Sequence, residues 1–196
     1  MNLRMVAGAV VAIVLLAAGI LLGMRAFLGG GGSQGTTEHY AGKAISFDYP
    51  AAWRRKSYKK ESSFSSAIVF LSTARMHDPC VRTKIFGGTT ETCGMPVDQL
   101  DPCGVVIEWS ANGFPLWTLE RQGGGESTIA GRPATVREET PGDCEHLGAD
   151  VTITAAVSRA APYNWYQMRA CLKGPDVDEL RRQISLMLAS MKIREG

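Results

Sequence analysis

Asp150-Val151-Thr152-Ile153-Thr154-Ala155-Ala156-Val157-Ser158, then Arg159-Ala160-Ala161-Pro162, then Tyr163-Asn164-Trp165-Tyr166-Gln167-Met168-Arg169-Ala170-Cys171 is the stretch on which the fold turns. Two runs rich in β-branched and aromatic residues, parted by an Ala-Pro break, read as neighbouring strands of a hairpin. Just beyond them Val177, Leu180, Ile184, Met187, Leu188 and Met191 recur at helical spacing. Pro175 suits the first turn of that helix, and Asp176, Asp178 and Glu179 lie at its positive end. The helix is expected to cover one face of the sheet to which the hairpin belongs.

Working back toward the N-terminus, Ala134 to Glu138, Val105 to Trp109 and Ala67 to Leu71 are further short strand-like runs. Ala44 to Tyr49 alternates apolar and polar residues before Pro50, as a half-buried strand does. Gly131-Arg132-Pro133 and Pro141-Gly142 punctuate the series, and Pro96 to Leu100 is expected to form a short helical turn. The fold class is therefore α+β: a mainly antiparallel sheet with a C-terminal helix.

The first residues have another character. Met5 to Met24 is an uncharged stretch which, at about 1.5 Å per helical residue, reaches about 30 Å, the depth of a bilayer's hydrocarbon core. It is longer than the apolar core of a secretory leader, and Met24-Arg25-Ala26 is a poor cleavage site, so it is expected to stay as a single-pass anchor. Gly29 to Gly32, Ser33, Gln34 and Gly35 have nothing to bury and read as a tether. The expected organisation is an anchor over 1–28, a linker over 29–39 and one domain over 40–196.

The charges exclude one class of partner. With Arg4 and Arg25 set aside, 19 of the 21 Lys and Arg remain against 19 Asp and Glu, so no global basic field points to nucleic acid. The charge is nevertheless segregated, with Lys43 to Lys84 predominantly basic and Ile85 to Asp150 predominantly acidic.

All five cysteines, Cys80, Cys93, Cys103, Cys144 and Cys171, lie beyond the apolar segment, as expected for a domain in an oxidising compartment outside the membrane. The odd count leaves one thiol over, and sequence alone permits many pairings. A hairpin would bring Cys144 and Cys171 together at its open end. Cys80 with Cys93 would close a Gly- and Thr-rich excursion, while Cys93 with Cys103 also closes a short loop and would leave Cys80 free. His77, Cys80, Cys93 and Cys103 do not have a recognised zinc spacing, so neither metal nor cofactor is expected.

Four local patterns accumulate in order: Ile45 to Trp53; Gly104 to Trp109 with Asn112-Gly113-Phe114-Pro115; Ile129 to Ala134; and Tyr166 to Leu172 leading into the helix. Together, over about Tyr40 to Ile193, they resemble the PsbP-like proteins, particularly the LpqN-like exported or membrane-anchored proteins of high-GC Gram-positive bacteria. The resemblance implies an α/β/α sandwich around a mainly antiparallel sheet. It favours the Cys80–Cys93 and Cys144–Cys171 bridges, with Cys103 as the departure from the pattern. It also implies a role in binding or assisting other proteins instead of catalysis.

Two constellations are candidate contacts. Trp53, Arg54, Arg55, Lys56, Tyr58, Lys59 and Lys60 join cations to aromatics and suit anionic lipid heads or acidic envelope polymers. Phe114 and Trp117 form a turn-borne aromatic group. No catalytic signature accompanies the three histidines, and the consecutive Glu138 and Glu139 would point to opposite faces of a strand. The expected function is that of a non-enzymatic interaction or accessory domain, held at the cell membrane with its globular part extracytoplasmic and engaging another envelope protein or polymer. The alternative is a small-molecule or lipid-binding module with a pocket between sheet and helix.

Overall fold

The structure, a computed structural model, describes residues 35–161 and 163–194; the apolar segment Met5 to Met24 and most of the tether lie outside the described residues. Among the described residues twelve strands form three sheets, and every strand pair within them is antiparallel. The largest has seven strands in the order β3 (Arg54–Lys56), β4 (Ser65–Ser72), β7 (Val105–Gly113), β11 (Asn164–Leu172), β10 (Val151–Ser158), β9 (Arg132–Glu139) and β8 (Gly125–Ile129). The hairpin expected from Asp150 to Cys171 is β10 with β11, in a register that sets Thr152 opposite Cys171 and Ser158 opposite Trp165.

Alternation along these strands creates two unlike faces. Tyr166, Met168, Ala170 and Leu172 join Val105, Ile107 and Trp109 of β7 and Ile153, Ala155 and Val157 of β10 on one face, all at most 6% exposed. Over that face lie β2 (Ile45–Pro50), through Ile45, Phe47 and Tyr49, and α1 (Val177–Ser190), through Leu180, Ile184 and Met187. Removing each large apolar side chain from water contributes about 1.5–3 kcal/mol, so this layer is the main source of stability. Ser190 ends the helix and stitches it to β2: its hydroxyl donates to the Met187 carbonyl at 2.8 Å and accepts from the Asp48 amide at 2.8 Å.

The opposite face is covered differently. Phe70, Val106 and Cys171 pack against Met95, Val97 and Leu100 and against Cys144 and Leu147 of a 3-10 turn at Gly142–Leu147. Pro96 to Leu100 is not a helical turn, because its apolar residues are spent filling this second cluster from an irregular segment. Among the described residues there is one α-helix, on one face only, so the layering is sheet plus helix without a second helical layer.

Two further sequence expectations change. The run Ala44 to Tyr49 is a strand, but β2 belongs to a separate small sheet with β1 (Thr37–Ala41) and β12 (Lys192–Ile193). The linker therefore ends earlier than residue 39: β1 pairs with β2 from Thr37 onward, the Tyr49 hydroxyl donates to Glu38 at 2.5 Å, and His39 Nδ1 lies 2.6 Å from Asp48.

Cys80–Cys93 and Cys144–Cys171 are disulfides, and Cys103 is free. Cys144 reaches Cys171 because the 3-10 turn folds over the open end of the hairpin, where the Cys144 amide donates to the Thr152 hydroxyl at 3.2 Å. Cys103 has φ 60° and lies against Gly174, where any side chain would collide with the Cys103 backbone. Hydrogen bonding to the Asp176 carboxylate, with a smaller contribution from burial, pushes the Cys103 thiol up, which disfavours the reactive thiolate.

Candidate interaction site

Where β4 begins, β7 ends and β11 begins, three connections meet at one end of the seven-stranded sheet. The Gly113 amide donates to the Phe64 carbonyl at 2.9 Å, and the Phe114 amide to the Tyr163 carbonyl at 3.1 Å. The chain can close up here because Gly113 lacks a Cβ, which would strike the Asn164 side-chain oxygen. These backbone bonds gather Phe64, Phe114 and Tyr163, with Leu116 two residues beyond Phe114 on the same connection, and each of the four is between 50% and 66% exposed. The Phe64 and Phe114 rings meet edge to face with centroids 4.9 Å apart.

Leu116 (φ 64°) and Tyr163 (φ 62°) both hold the left-handed backbone that bulky L-residues avoid. Such a conformation costs on the order of 1–3 kcal/mol, and clusters of it mark places where the fold presents side chains for use. Burial does not compensate here, since both side chains project into water.

Behind the patch Trp117 stacks on Trp165 with centroids 4.4 Å apart and the rings nearly parallel at 1°. Trp165 Nε1 donates to Gln167 at 3.1 Å, whereas the buried Trp117 indole nitrogen has no protein partner. A shallow cleft of about 320 Å³ opens beside the patch, lined by Ser62, Ser65, Asn112, Arg159 and Asn164 among others. Arg159 places its guanidinium 4.9 Å from the Tyr166 ring centroid. The whole is an aromatic platform with a polar margin, suited to non-covalent contact; no nucleophile–base pair belongs to it.

The basic run predicted as a contact is divided by the fold. Trp53 is core at 4% exposure, and Tyr58 is half-buried with its ring 5.9 Å from Phe70, so these two are not available to a partner. Lys60 turns inward: its Nζ lies 2.8 Å from Glu108, which also accepts from Arg169 at 2.9 Å. Arg54, Arg55 and Lys56 form the exposed edge strand β3, where like charges discourage pairing with another sheet, and Lys59 is exposed beside them. Phe114 and Trp117 do lie together, Phe114 outward and Trp117 largely inward.

Sequence reasoning missed Phe64 and Tyr163, which lie far from Phe114 in the chain and share no motif with it. It also missed the Lys60–Glu108–Arg169 triplet, whose one signal is a charge inside two otherwise strand-like runs. Glu138 and Glu139 do face opposite ways, Glu138 pairing with Arg181 of α1 and Glu139 with Arg137. Cys80, Glu91 and Cys93 come close enough to hold an ion, but both sulfurs are in a disulfide and offer no thiolate. No family model, curated protein or solved structure matches this chain.

Proposed function

We propose that this protein is a membrane-tethered, extracytoplasmic interaction domain, an accessory component of a cell-envelope assembly without catalytic activity of its own. The observation that carries this reading is the strained aromatic patch of Phe64, Phe114, Leu116 and Tyr163. The two disulfides support an oxidising compartment, and Met5 to Met24 supports the tether. The finer fold assignment, a PsbP-like α/β/α sandwich of the LpqN-like kind, rests on the sequence resemblance alone; the antiparallel sheet and the one described helix support only its coarser α+β part. Against the alternative of a pocket between sheet and helix stands the packing there: Phe47, Tyr49, Trp109, Ile184 and Met187 fill that layer at no more than 1% exposure.

Leu116→Gly separates presentation from stability. Glycine accepts φ 64° without strain, and the lost side chain is 66% exposed, so stability should stay level or rise by up to about 1 kcal/mol. Partner retention on copurification from native membranes should fall, and fall further with Phe114→Ser. An unchanged set and yield of copurifying proteins in both variants would refute the assignment of this surface.

A further inference from the structure

The segment between the two cysteines Cys80 and Cys93 is not a loop but an arm. Strands β5 (Cys80–Ile85) and β6 (Gly88–Cys93) pair with each other and with no other strand among the described residues, and the disulfide joins the pair at their base. An isolated two-stranded ribbon is marginal in water, so the bridge is what holds this one in shape.

The arm is amphipathic. Register and alternation put Val81, Thr83 and Ile85 on one face with Thr90 and Thr92, and Arg82, Lys84, Thr89 and Glu91 on the other. Val81 is 65% exposed and Ile85 57%, and Phe86, in the turn before Gly87 at φ 91°, is exposed completely. Nothing described in the chain covers these side chains. At the base of the arm, the Lys59 carbonyl lies 3.6 Å from Cys80 Sγ, which brings the basic edge segment alongside. From Arg54 to Cys93 the chain has eight Lys and Arg against three Asp and Glu, a net charge of +5, and every one of these cations except Lys60 is exposed.

We propose that the arm and the basic edge segment together form a second membrane contact, in which Ile85 and Phe86 insert at the surface of an anionic bilayer and the surrounding cations meet its headgroups. Size and charge favour a bilayer over a protein partner. Six residues per strand give a ribbon about 20 Å long, with a face on the order of 200 Å², well short of the roughly 800 Å² per partner of a stable protein interface. A bilayer needs no complementary shape: it takes a small apolar wedge and adds attraction for each nearby cation. The residues that make this contact are not those of the tether or of the aromatic patch.

The test uses the full chain reconstituted into vesicles, with a photoreactive benzoyl-phenylalanine at position 86 or, as control, at the exposed Leu186 of α1. Position 86 should yield phospholipid adducts in vesicles rich in phosphatidylglycerol, several-fold above position 186 and above its own yield in phosphatidylcholine. The combined Arg54→Glu, Arg55→Glu and Lys56→Glu variant should lower that yield by at least about tenfold, since each lost cation weakens attraction to the surface. Equal yields at the two positions, indifference to lipid charge, or adducts joining two chains would overturn the proposal. So would a protein adduct in place of lipid in native membranes, which would assign the arm to a protein partner. Retention of the chain in the vesicle reports on Met5 to Met24, and the adduct ratio reports on the arm, so the two readings fail separately.

Discussion

The two disulfides close loops of 27 residues for Cys144–Cys171 and 13 for Cys80–Cys93, and because the chain-entropy term grows only with the logarithm of loop length it gives them nearly equal value, about 3.5 and 3 kcal/mol. The structure argues that they will not behave equally. Cys144 and Cys171 are at most 1% exposed and sit in the cluster with Phe70, Val106 and Leu147, so the body of the domain cannot unfold without freeing the loop they close. Replacing both with Ala should cost the full loop term and add the loss of buried sulfur packing. For a domain spanning Thr36–Gly196, about 3.5 kcal/mol corresponds to roughly 7–14 °C in melting temperature. Cys80–Cys93 closes an arm whose residues are almost all exposed. Without that bridge the arm melts by itself, the folded state gains much of the same freedom as the unfolded state, and the global cost should stay below about 1 kcal/mol. Guanidinium titration followed by far-ultraviolet circular dichroism gives the first quantity for both double-Ala variants. Limited trypsinolysis gives the second, since only loss of Cys80–Cys93 should open Arg82 and Lys84 to rapid cleavage while the domain stays folded. Equal midpoint losses in the two variants, or no added cleavage in the arm, would refute the distinction between a core bridge and an arm bridge.

Two further predictions concern buried polar groups. Glu108→Gln leaves Lys60 and Arg169, whose side chains are 20% and 30% exposed, without their shared counter-charge; with that partial access to water the cost should be about 2–3 kcal/mol in urea unfolding, and adding Arg169→Met should recover part of it. A loss below about 0.5 kcal/mol would mean the triplet behaves as a surface pair. Tyr49 has its pKa pushed up to about 12, first by burial and then by the hydrogen bond to Glu38, so the folded state holds the phenol proton that the unfolded chain gives up near pH 10. Its contribution to stability is present below pH 10 and lost as the pH rises toward 12, and Tyr49→Phe should flatten the alkaline decline of the urea midpoint over that window.

Local chemistry was enough for five of the seven strands of the main sheet and for α1. The strands β4, β7, β9, β10 and β11 stand at the runs where β-branched and aromatic residues concentrate, and the helix begins behind Pro175 as the spacing of Val177, Leu180, Ile184 and Met187 requires. Those signals are short-range, and period and propensity express them directly. The arm escaped notice because its Thr and Gly residues read as a loop until the Cys80–Cys93 register pairs them, and β8 and β12 are too short to show a period. The bridge pairing lay between, since the hairpin reading already joined Cys144 to Cys171, whereas spacing left Cys93 with Cys103 open until the strand register set Cys80 opposite Cys93.

What the sequence determined by itself was one antiparallel α+β domain with a C-terminal helix, because alternation and helical period are properties of neighbouring residues. What only the tertiary structure decided was which side chains turn outward. Trp53, Tyr58 and Lys60 go inward from a run that reads as uniformly exposed, and Phe64, Phe114, Leu116 and Tyr163 assemble from three separate connections into one patch. The physical reason is that a side chain's exposure depends on which strand ends meet, and that is set by contacts between residues tens of positions apart, to which no local pattern is sensitive.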